Sequence, residues 1–132
     1  MVPAYRRKES HMQYVENCIL LLKESLRRCL KMSKRLDRFV GEPIVAHVET
    51  LWSNVIIISK LYARSDEESK KLRFDKIIES LAECNFLASM LDVAIELDNN
   101  LLTESQWNHW LNLINEEERL LEGLKKKFSK EL

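Results

Sequence analysis

From residue 12 to residue 38 apolar side chains recur every three or four positions. Val15, Ile19, Leu22, Leu26, Cys29, Leu30 and Leu36 fall on one arc when successive residues are set about 100° apart. That period belongs to an amphipathic helix and not to a strand, whose side chains alternate every second residue. No Gly or Pro interrupts it before Gly41, so the spacing predicts a first helix over residues 9–38. The opposite arc is cationic. Arg27, Lys31, Lys34 and Arg38 lie at i, i+4, i+7 and i+11, with Arg28 and Arg35 beside them. One helix is therefore expected to close a core on one side and to present these cations on the other.

The rest of the chain repeats the pattern between short breaks. Gly41 and Pro43 suit a helix end and the first turn of the next helix, predicted over 42–63. Its core side carries Ile44, Val48, Leu51, Val55 and Tyr62, with Val45, Trp52 and Ile56 adjacent, so it is apolar around much of its circumference. Ser65 and Glu68 fit a capping box that opens a third helix over 66–97, which Asp98, Asn99 and Asn100 end. Thr103 as N-cap, Gln106 as its reciprocal partner and a staple from Leu102 to Trp107 open a fourth helix over 104–130. Residues 1–8 read as a loose basic leader. Four helices joined by short connections predict an all-α, up-down-up-down antiparallel four-helix bundle, a single domain over 1–132.

Composition agrees and narrows the chemistry. Two Gly, two Pro and 32% charged residues suit long helices with short loops and argue against disorder. Apolar runs such as 55–58 fall far short of the roughly 20 residues of a membrane span. No apolar signal core follows the basic start, so a cytoplasmic protein that uses no membrane is expected. Cys18, Cys29 and Cys84 sit singly on apolar faces and read as reduced core thiols, because no C-x₂-C pair offers a zinc site. His11, His47 and His109 lack metal-ligand spacing, and no phosphate loop or nucleophile elbow occurs. The R-x₄-H spacing of Arg6 and His11 is similar to the motif of helical HEPN-type ribonucleases, but it straddles the expected start of the first helix. No enzyme, metal or cofactor is expected.

Net charge is zero, yet it is unevenly spread: residues 1–40 hold ten Lys/Arg against four acids, and residues 41–132 hold eleven against seventeen. A local basic face can bind an anionic partner despite overall neutrality. Between residues 27 and 38 only Asp37 is acidic, so the candidate partner-binding cations are Arg27, Arg28, Lys31, Lys34, Arg35 and Arg38. The competing reading is a solvated face, helped by a Glu24–Arg28 pair and by the helix C-terminal dipole. The acids Glu79, Glu83, Asp92, Glu96, Asp98, Glu116, Glu117 and Glu118 read as a solvated face as well. Trp107 and Trp110 read as core, and Trp52, Val55 and Ile56 as an oligomer interface.

Local strings add a resemblance. FVGEPIVAH at 39–47, SKLYA at 59–63, LASMLDVA at 87–94, LLTESQW at 101–107 and ERLLEGL at 118–124 recur in the expected order of elements. Over roughly residues 12–128 the chain resembles the small four-helix-bundle family that contains the accessory variability proteins of diversity-generating retroelements. Related members are encoded in intervening sequences of bacterial large-subunit ribosomal RNA genes. The resemblance implies a ring-shaped homopentamer without enzymatic activity. It would associate with the retroelement's reverse transcriptase and template RNA, or with DNA, and support mutagenic complementary-DNA synthesis. The same resemblance assigns those contacts to basic surface residues, here Arg27, Arg28, Lys31, Lys34, Arg35 and Arg38. The chain departs from better-known members in its neutral net charge. The alternative is a structural protein–protein bundle with no nucleic-acid role.

Overall fold

Ser33 decides where the first two helices meet. Its side chain accepts the Leu36 N–H at 3.2 Å in an extended cap conformation, so a new helix starts at Lys34. The computed structural model describes the backbone of residues 4–132 and the side chains of residues 12–132. It holds four helices: α1 (Ala4–Cys29), α2 (Lys34–Leu61), α3 (Glu67–Leu97) and α4 (Glu104–Ser129). No strand occurs among the described residues. Each helix packs on its neighbours in sequence and α4 returns against α1, which is the expected antiparallel four-helix bundle. Leu21 of α1, Ile44, Leu51 and Ile58 of α2, Ile77 and Leu87 of α3, and Trp110 and Ile114 of α4 are fully buried at its centre.

Three expectations need correction. The first helix does not reach residue 38. It ends at Cys29, and a turn over 30–33 follows, held by Lys31 N–H to the Arg28 carbonyl and Met32 N–H to the Cys29 carbonyl. Met32 is buried in the core and Leu30 is 86% exposed, and the local signal for the break is the Ser33 cap that starts a new helix at Lys34. Secondly, Gly41 and Pro43 do not separate two helices but lie inside α2. A π-turn over Asp37–Gly41 widens the backbone there, with the Glu42 N–H donating to the Asp37 carbonyl. Pro43 would otherwise press its ring on the carbonyl one α-turn earlier, and the π-turn absorbs that conflict. Lastly, helical backbone already begins at Ala4, so the expected leader is helical from there; Ala, Arg, Lys and Glu are all good helix formers.

The other ends fall close to expectation. α3 is capped by Asp66, not Ser65: the Asp66 carboxylate accepts the Ser69 N–H at 3.1 Å. Thr103 and Gln106 make the full reciprocal box, with Leu102 and Trp107 buried beside it. By length and hydropathy α2 is apolar enough to cross a membrane. In the bundle Ile44, Val48, Leu51, Val55 and Ile58 are buried, and they belong to the 33% of its most apolar window that the core takes up.

A candidate binding surface at the basic corner

The turn over 30–33 moves the cations off a single stripe. Arg27 and Arg28 end α1, Lys31 lies in the turn, and Lys34, Arg35 and Arg38 occupy the first turns of α2. They surround one corner of the bundle, between the end of α1 and the start of α2. Glu24 sits beneath it, 3% exposed, and draws in three bases. It accepts from Arg28 Nε, lies 3.6 Å from an Arg27 nitrogen and lies 3.3 Å from His109 Nε2 on α4. The expected Glu24–Arg28 pair is therefore present, and it occupies Arg28, whose side chain is only 11% exposed. Arg27 stays mostly in solvent.

Lys31, Lys34, Arg35 and Arg38 differ from these two. All four are exposed, and none makes an ion pair or hydrogen bond through its side chain among the described residues. Lys34 and Arg35 also stand where helix electrostatics opposes them. The first turn of a helix carries partial positive charge and favours anions, so a cation there gains nothing from the dipole. A solvated cation at a helix C-terminus is stabilised by the dipole; these two are not. For Lys34 and Arg35 that removes one of the two reasons for treating the face as inert, whereas Arg27 and Arg28 keep it at the end of α1.

Apolar side chains share the corner. A groove of about 470 Å³ is lined by Leu36, Phe39 and Leu97 with Ser33, Arg35 and Asp98. A second, of about 440 Å³, is lined by Leu26, Leu30, Met32 and Val45 with Lys34 and Asp37. The sequence reading placed Leu26 and Leu30 on the core arc and so missed this surface. The visible signal was Ser33, the only cap-type residue between 26 and 36.

Other predicted positions fall as follows. Val55 is wholly buried within the chain, so it has no surface to offer a subunit; Trp52 and Ile56 are half-buried. Trp107 and Trp110 stack in the core at 6.0 Å, and Trp110 Nε1 donates to Ser25 Oγ at 2.9 Å. The three cysteines are buried free thiols, and burial pushes Cys29 up to about 12. Two histidines bridge helices: His109 meets Glu24, and His47 Nδ1 lies 2.5 Å from Glu83 with its ring stacked on Phe86. Glu117 departs furthest, being fully buried instead of solvated. The side chains of Arg6 and His11 lie outside the described residues. On the outer face of α4, Glu104, Ser105 and His109 line a shallow depression, but no hydrogen bond joins Ser105 to His109, as an activated nucleophile requires. No group of three metal-ligating side chains occurs among the described residues.

Comparison with protein-family models, with curated proteins and with solved structures finds no match to this chain.

Proposed function

We propose that the chain is a non-enzymatic, cytoplasmic, oligomeric accessory protein that engages a reverse transcriptase and its template RNA through the basic corner. The family role follows from the sequence resemblance. The supporting geometry is the set Lys31, Lys34, Arg35 and Arg38, four exposed cations without partners among the described residues, gathered around the turn between α1 and the first turns of α2. A helix N-terminus flanked by free cations suits a phosphate or a carboxylate.

The test is a titration of fluorescently labelled single-stranded RNA over a range of salt concentrations. Four phosphate contacts would give a log–log slope of roughly −3, at about −0.7 per neutralised phosphate. Replacing Lys31, Lys34, Arg35 and Arg38 by Glu should abolish the binding while helicity by circular dichroism is retained. The same variant should fail to co-elute with the co-expressed reverse transcriptase. Binding that survives the charge reversal removes this corner from the mechanism.

A second reading has its own observation. Leu30 and Leu97 are exposed among the cations, and aliphatic side chains contribute nothing to a phosphate backbone. A protein–protein bundle with no nucleic-acid role would use them, and RNA binding would then be absent at every salt concentration.

A further inference from the structure

The apolar content of the basic corner is arranged as two grooves on either side of the first turns of α2. One is formed by Leu26, Leu30, Met32 and Val45, the other by Leu36, Phe39 and Leu97. Leu30 is 86%, Phe39 64% and Leu97 62% exposed, so these are among the least buried large apolar side chains in the described structure. Scattered exposed leucines need no explanation, but several converging on two concave sites mark a contact surface. Around them the charge is one-sided. Between residues 27 and 38 six cations face one acid, and Glu24 satisfies only Arg27 and Arg28.

We propose that this corner receives an acidic amphipathic helix from a protein partner. Its apolar side chains would enter the groove of Leu26, Leu30, Met32 and Val45, and its carboxylates would meet Lys31, Lys34, Arg35 and Arg38. This deepens the proposed function, and it rests on the basic corner being the partner site. Helix-in-groove recognition requires an apolar trough with a charged rim, and complementary charge on the incoming helix supplies specificity and a fast encounter. A nucleic acid fits the apolar part less well. Single strands stack on aromatic platforms, and Phe39 is the only aromatic side chain in either groove.

The experiment uses a labelled peptide with Leu at i, i+3, i+4 and i+7 of an otherwise Glu-rich helix. It is compared with a scrambled peptide of equal composition, single-stranded RNA, and vesicles of phosphatidylglycerol and phosphatidylcholine. Binding is read by fluorescence anisotropy, and amide shifts locate the site. The patterned peptide should bind, and its shifts should map to the groove of Leu26, Leu30, Met32 and Val45. Leu30→Ser should weaken it about tenfold and Phe39→Ser, in the other groove, should not, while Lys34→Glu weakens peptide and RNA together. Both apolar positions are solvent-exposed, so these variants keep the fold, which circular dichroism checks. Equal binding of the scrambled peptide, or unchanged affinity in the Leu30 variant, overturns the proposal. So does binding of vesicles without the peptide. RNA binding without peptide binding overturns this inference and leaves the RNA reading standing; peptide binding without RNA does the reverse.

Discussion

Three buried charged side chains carry more of this structure than their number suggests. Arg73 of α3, 1% exposed, donates to the carbonyls of Leu61, Tyr62 and Arg64 at 2.8, 3.0 and 3.0 Å. It thereby caps the end of α2 from another helix, while Glu131 and the Phe128 face complete its surroundings. A buried guanidinium is tolerated where its donors are used, and most of these are. Glu24 plays the converse part under the basic corner. Glu117 is different: its Oε1 accepts from Asn17 Nδ2 at 3.0 Å, but Oε2 has no partner among the described residues. Tyr14, Cys18 and Cys84 of α1 and α3 lie around it, with Glu116 adding like charge, and none offers a cation. Desolvation therefore pushes its carboxyl up to about 8.

The sign of the pH effect follows from that shift. The folded state keeps the Glu117 proton to about pH 8, whereas the unfolded chain releases it near 4.5. Stability from this group is complete at and below pH 4.5 and is lost as pH rises through 8. Glu117→Gln mimics the protonated form and keeps the Asn17 bond. Thermal melts at several pH values should show the wild type weakening across that window by up to a few kcal/mol relative to the variant. Parallel curves would mean that the carboxyl titrates alike in the folded and unfolded chains.

Among the elements, α2 shows how local signals mislead when a neighbour competes. Gly41 and Pro43 spell a helix boundary by every local rule, yet the π-turn lets the helix run through them. Gly41 has ordinary helical backbone angles, so its need is spatial: a Cβ there would stand 2.1 Å from Asp37 Oδ1 and 3.0 Å from Met32 Sδ. Gly123, on the exposed side of α4, would meet nothing within 4 Å. The two glycines thus predict opposite outcomes. Gly123→Ala should stabilise by about 0.5–1 kcal/mol, the helix-propensity gain alone. In Gly41→Ala the same gain is outweighed by steric strain, for a net loss of about 1–2 kcal/mol. Urea denaturation of both variants checks the pair, and a stabilised Gly41→Ala would show that Asp37 and Met32 move aside freely.

At the scale of the molecule, the single chain buries its core without help, so assembly is a matter of what it leaves outside. Trp52 and Ile56 are half-buried on α2 and remain the positions proposed for a subunit contact, while Val55 is spent inside. Light scattering supplies the decisive mass. The homopentamer implied by the resemblance requires five times the 15.6 kDa chain. A monomeric mass would remove the ring and leave the basic corner acting alone. A ring would repeat that corner on every subunit, so a multivalent RNA or polymerase would bind far more tightly than one corner allows.

Helical period, the Thr103–Gln106 box and the apolar stripes of the last three helices were enough to define the bundle, because each depends on residues a few positions apart. The sequence also showed which segment carries the excess of cations. What it could not show was their arrangement. The break of the first helix at Cys29 sets the ends of α1 and α2 side by side, with Met32 in the core and Leu30 outside it. The burial of Glu117 and the capping of α2 by Arg73 likewise join residues far apart in the chain. Local pattern specifies helices because a helix is a local structure. The basic corner, with its grooves and free cations, exists only where two helix ends meet, and tertiary packing alone brings them there.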